Sequence, residues 1–163
     1  MYEKELMELA NSKAKYLVVG AVAIGLHGHP RATFDLDILP YLDKENLDKI
    51  IKTLTKLGYH PRQQIKLEDI KDPEIRKYWH DKKNLVALSF IKPKEPYNTI
   101  DLLLYQPIDF RECFERRDYV TIRGKKIYIA SVKDLLELKR LSNRDKDKND
   151  IIVLERMLKG RSK

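Results

Sequence analysis

The chain lacks several features that would narrow its class at once, and each absence excludes something. It has one cysteine, Cys113, so no intramolecular disulfide can form, and a lone thiol fits a reducing compartment such as the cytoplasm. No apolar region follows a basic start. The longest nearly apolar run, 16–26, is well short of the roughly 20 residues a spanning helix needs. A soluble protein with no membrane partner is expected. No internal repeat occurs, and the only biased segment is the charged run 144–150. His27, His29, His60 and His80, taken with Cys113, match no recognised zinc spacing.

What the chain does have is charge. Of its 163 residues 36% are charged and 42% hydrophobic, with a net charge of +8 and a pI near 9.4. The length suits one domain, 1–163, ending in a basic helical segment, 131–163. The charge suits an anionic partner, either a nucleic acid, a nucleotide or an acidic protein. It equally suits the solvated Lys/Glu surface of a heat-adapted protein.

The most informative stretch is Phe34-Asp35-Leu36-Asp37-Ile38. In a strand, side chains alternate faces, so Asp35 and Asp37 point one way with backbones roughly 6.6 Å apart, while Leu36 and Ile38 point the other way. Two carboxylates so placed can close on one hard cation. An ordinary half-buried strand shows the same alternation, so the neighbouring residues must decide.

Upstream, 15–19 reads as a buried strand and Gly20-Ala21-Val22-Ala23-Ile24 opens a short helix ended by Gly28. Strand, glycine, helix is a phosphate-binding geometry, because backbone N–H groups at a helix start favour anions. Residues 2–13 form an amphipathic helix. Asp43 caps a helix carrying Leu47, Ile50, Ile51 and Leu54 on one face. The segment 59–83 shows no periodicity and reads as a binding loop, with Trp79 closing the core edge or stacking on a base. Two strands, 85–91 and 97–105, follow as a hairpin with a basic tip. The second holds Asp101 among apolar neighbours, an ion costly to bury unless a cation compensates it. A helix over 109–117, a second hairpin around Arg123-Gly124-Lys125, and a helix opened by Ser131 and Asp134 as a capping box complete the pattern. Lys139 borders the apolar face of that helix, where it snorkels to water or meets a phosphate.

The order Gly20-Ala21, helix, Arg31-x-Thr33-x-Asp35-x-Asp37, then Asp101 on a later strand, then Lys139 and Arg144-x-Lys146-Asp147-x-x-Asp150 resembles the nucleotidyltransferases of the DNA polymerase β-like superfamily. The likeness is to small abortive-infection and toxin-type bacterial and archaeal members. The resemblance implies an α/β (α+β) fold with a mixed sheet flanked by helices. It also implies two Mg²⁺ ions held by Asp35, Asp37 and Asp101, and an NTP such as ATP as substrate. Gly20 and Ala21 would lie under the triphosphate, with Arg31, Thr33 and Lys139 contacting phosphates or holding the loop. The family usually has Gly-Gly or Gly-Ser where this chain has Gly20-Ala21, so Ala21 keeps a backbone donor without a hydroxyl.

The activity so implied is transfer of a nucleoside monophosphate to a hydroxyl, and the basic surface favours an RNA acceptor such as a tRNA end. A catalytically silent nucleotide- or RNA-binding module of the same fold, and a component of a toxin–antitoxin pair, are the competing readings.

Overall fold

The computed structural model describes residues 2–161. Residues 1, 162 and 163, the last two of them in the expected basic C-terminal segment, lie outside this range. The elements are α1 (Glu3–Asn11), β1 (Tyr16–Val19), α2 (Gly20–Leu26), β2 (Asp35–Pro40), α3 (Lys44–Lys56), β3 (His60–Pro61), α4 (Pro73–Lys83), β4 (Ala87–Lys92), β5 (Glu95–Leu103), α5 (Phe110–Glu115), β6 (Asp118–Ile122), β7 (Lys125–Ile129), α6 (Val132–Ser142) and α7 (Lys148–Arg161). Short 3₁₀ turns occupy Leu67–Lys71 and Asp145–Asp147.

The strands form one seven-stranded mixed sheet in the order β3-β4-β5-β2-β1-β7-β6. β2 lies inside it, antiparallel to β1 and parallel to β5. Alternation along β2 does what the sequence pattern requires: Leu36 and Ile38 are fully buried, while Asp35 and Asp37 turn to the more open face. The apolar side joins Leu88, Phe90, Ile100 and Leu102 from β4 and β5 to Leu6 and Leu9 of α1 and Leu47, Ile50 and Leu54 of α3 in one core.

Local chemistry sets the element ends. The Asp43 carboxylate accepts from the Asn46 N–H at the start of α3. Ser131 accepts from the Asp134 N–H at the start of α6, and Asp134, wholly buried, also takes the Arg116 guanidinium at 2.6 Å. The β6–β7 hairpin turns on Arg123 and Gly124 alone, both at positive φ, as a two-residue turn matching strand twist demands.

The segment 59–83 is not the irregular loop its composition predicts. It contains β3, a 3₁₀ turn and the eleven-residue α4. Asp72 caps α4 by accepting from the Glu74 N–H at 2.9 Å, and Pro73 occupies its first turn, where proline costs no hydrogen bond. The helix is polar nearly all round and buries only Trp79, so its sequence carries no apolar stripe at helical spacing. Trp79 is part of the core rather than a stacking surface. No described helix is long and apolar enough to cross a membrane.

Candidate active site

The parallel pairing of β2 with β5 places Asp35 opposite Thr99 and Asp37 opposite Asp101. Three carboxylates named from sequence thus stand on one face of two adjacent strands, although 64 residues separate Asp35 from Thr99. Their surroundings differ. Asp35 is exposed, and its Oδ1 accepts from the Thr99 hydroxyl at 2.6 Å. Asp37 lies deeper, opposite Val19 of β1 on its other side. Asp101 faces Ser89 of β4, and its Oδ1 is buried with no hydrogen-bond partner among the described residues.

Electrostatics follow from this crowding. Burial, then the charges of Asp101 and Asp35, push the Asp37 carboxyl up to about 6, while Lys139 and Arg144 pull in the other direction. Burial also raises Asp101, opposed by the Ser89 hydroxyl, with Asp35 adding to the rise. Like charges this close resist full ionisation until a cation compensates them.

Gly20 closes the floor. Its φ is +66°, and a Cβ added there would sit 2.1 Å from Asp37 Oδ2. Only glycine tolerates both the backbone conformation and the close carboxylate. Ala21 follows, buried, in the first turn of α2.

Lys139 and Arg31, each expected to contact phosphates or hold the loop, are both engaged in ion pairs. The buried Lys139 ammonium lies 2.8 Å from Asp147 and 3.0 Å from Asp150. Arg31 reaches the same Asp150 at 2.8 Å across the fold, and Arg144 and Ser142 each bond Asp147 at 2.8 Å. The Arg-x-Lys-Asp-x-x-Asp run is therefore a clamp that binds the 27–34 loop to α6 and α7. Thr33 is tied to the site by its hydroxyl, which accepts from the Asp35 N–H at 3.2 Å.

Sequence reasoning missed two contributors. Thr99 sits two residues before Asp101 on the same strand, so alternation alone could have put it on the acidic face. Tyr2 lies at the start of the segment expected as an amphipathic helix, and its hydroxyl is within hydrogen-bond reach of the Phe34 and Thr99 carbonyls. Nothing local signals that contact, which spans 97 residues. The histidines scatter. His27 bonds the Ala130 carbonyl at 2.8 Å, and His80 stacks on Tyr105.

The group the resemblance implies here is a divalent cation. The donor set is all carboxylate oxygen, the chemistry Mg²⁺ prefers. A buried Asp101 oxygen lacks a hydrogen-bond partner among the described residues, and the missing Gly20 side chain leaves room for the Asp37 carboxylate itself. The residues fit. As they stand, no three His, Cys, Asp or Glu side chains among the described residues are gathered tightly enough to enclose an ion.

The seven-stranded mixed sheet with its flanking helices is a nucleotidyltransferase-like fold, as comparison with solved structures shows. A protein of Thermotoga maritima described as a nucleotidyltransferase is 14% identical, with 98% of this chain and 93% of that one covered at a TM-score of 0.57. The lincosamide antibiotic adenylyltransferase LnuA, solved with lincomycin bound, is 16% identical over 94% and 92% of the two chains at 0.58. The antibiotic-resistance factor ANT(2'')-Ia is 11% identical over 97% and 86% at 0.57. No family model matches the chain, and no curated protein matches its sequence. The likeness is one of fold.

Proposed function

We propose that the protein is a Mg²⁺-dependent nucleotidyltransferase that moves a nucleoside monophosphate from an NTP onto a hydroxyl. The observation that carries this reading is the convergence of Asp35, Asp37 and Asp101 on one sheet face beside Gly20. These carboxylates would hold one or two Mg²⁺ ions, which when bound offset the charge of the triphosphate and acidify the attacking hydroxyl.

The chain's own part is positioning and charge. Gly20 and Ala21 offer backbone N–H groups beside Asp37, where a triphosphate would lie. Lys139 and Arg144 lower the cost of ionising Asp37 from behind the site. Arg31 and Thr33 fix the loop leading into β2 through Asp150 and the Asp35 backbone. Asp101 supplies the oxygen that has no other partner.

The net charge of +8 favours RNA, such as a tRNA end, as acceptor. Likeness in fold to LnuA and ANT(2'')-Ia favours a small-molecule hydroxyl as the second reading. Labelled NTPs with Mg²⁺, offered to total RNA, to proteins and to an antibiotic panel, separate the two. Label is expected on RNA with the wild type and at background with Asp35→Ala or Asp37→Asn. Label on a panel antibiotic instead moves the acceptor to the second reading. Metal-independent NTP binding with no transfer to any acceptor would make the protein a silent binding module, and label transferred equally well by Asp35→Ala would overturn the site.

A further inference from the structure

Asp35 poses a problem that Asp37 does not. It is the first residue of β2, exposed, and follows a loop, so its carboxylate has rotamer freedom that an ion would have to remove. The structure supplies a restraint on the neighbouring strand. Thr99 is buried, β-branched and directly opposite in register, and its hydroxyl donates to Asp35 Oδ1 at 2.6 Å. A β-branched side chain has a stiff χ1, so the hydroxyl is rigidly placed. The other Asp35 oxygen has no partner among the described residues.

The backbone beneath this pair is fixed as well. The Thr99 N–H donates to the Phe34 carbonyl at 3.2 Å. The Tyr2 hydroxyl bridges the Phe34 carbonyl and, at 2.9 Å, the Thr99 carbonyl. Tyr2 is itself buried. Tyr2, immediately before α1, thereby holds together the two strand segments from which Asp35 and Thr99 project.

We propose that Thr99 is a positioning residue for the divalent-ion site, holding one oxygen of Asp35 so that the other is presented to the ion, with Tyr2 securing both backbones. The proposal rests on the metal-site reading above. Hydrogen bonds of this kind to a ligating carboxylate typically control metal affinity by 10–100-fold. A hydroxyl that merely satisfied its own hydrogen bond would leave ion affinity unchanged when removed together with its polarity.

The test is Mn²⁺ binding to the intact protein, followed by electron paramagnetic resonance without nucleotide, in wild type, Thr99→Val, Thr99→Ser, Tyr2→Phe, Asp35→Asn and the Asp35→Asn/Thr99→Val double variant. Thr99→Val keeps the side-chain shape, and its circular dichroism and thermal midpoint report whether it folds. The expected result is an affinity about 10-fold lower or worse in Thr99→Val, largely restored in Thr99→Ser, and lowered by a smaller factor in Tyr2→Phe. In the Asp35→Asn background the valine substitution should add nothing, since Thr99 acts through Asp35. Unchanged affinity in a folded Thr99→Val, or an equal loss in the Asp35→Asn background, overturns the role of Thr99 while leaving the metal site standing. A wild type that takes up no Mn²⁺, or an Asp35→Asn that binds as wild type, overturns the metal site and this role together.

Discussion

At the scale of single residues, Asp37 is where the fold stores an unfavourable charge. Its carboxyl is raised from 3.8 to about 6 by burial and by Asp101 and Asp35. Because the folded value lies above the unfolded one, ionisation costs stability. The cost is absent below about pH 4, grows as pH rises through 6, and is constant above that. At 1.36 kcal/mol per pH unit it is on the order of 2–3 kcal/mol. In chelator, Asp37→Asn should therefore be more stable than wild type at pH 7–8 and equal to it near pH 4, as read by urea unfolding. Added Mg²⁺ should reverse the order, since the ion compensates only the charged form. A variant less stable than wild type in chelator at pH 8 would contradict this account.

Gly20 belongs to the same residue-scale logic. Its value lies in a missing side chain, and a sequence shows only that a glycine follows an apolar run. The three aspartates were legible because alternation is strict in β2 and β5. The face of Thr99 follows from the same alternation, but its bond to Asp35 and the Tyr2 contacts were not legible, because they depend on which segments the fold brings together, a non-local choice.

At the scale of elements, α6 and α7 behave as a bracket. Burial pushes the Asp147 carboxyl up, but hydrogen bonds from Lys139, Arg144 and Ser142 outweigh it and hold the carboxyl near 2. A depressed carboxylate gives stability that is full above about pH 4 and is lost as pH falls toward 2. Asp147→Ala should cost about 3–5 kcal/mol at neutral pH, because it leaves Arg144 without its partner and the buried Lys139 with Asp150 alone. It should also flatten the acid limb of the unfolding profile. Thermal melts from pH 2 to 7 check both. The sequence showed Lys139 and the charged run as separate features. Only the turn at Asp145–Asp147 folds one back on the other. α4 marks the opposite limit: a capped but evenly polar helix has start signals and no periodicity.

At the scale of the molecule, the strand order places both aspartate-bearing strands inside the sheet, away from its β3 and β6 edges. Amides of Leu36, Ile38, Ile100 and Leu102 should then be among the slowest to exchange with solvent, opening only with global unfolding. Hydrogen exchange followed by mass spectrometry checks this, and fast exchange across β2 would contradict it. The mixed sheet and its flanking helices were legible in outline from alternating hydrophobic periods. The order in which strands lie side by side was not, since β2 pairs with β5 at a sequence separation of 64, and the intervening chain carries no pairing signal of its own.

The clamp between Arg31 and Asp150 joins residues 119 positions apart. A ribosome adding about 5–20 residues per second needs roughly 6–24 s to travel from one to the other. For all but the first moments of that interval Asp35 and Asp37 are already made, while the bracket that holds their approach loop does not yet exist. The nascent chain is thus expected to leave its 27–34 loop unclamped until Asp150 has been added.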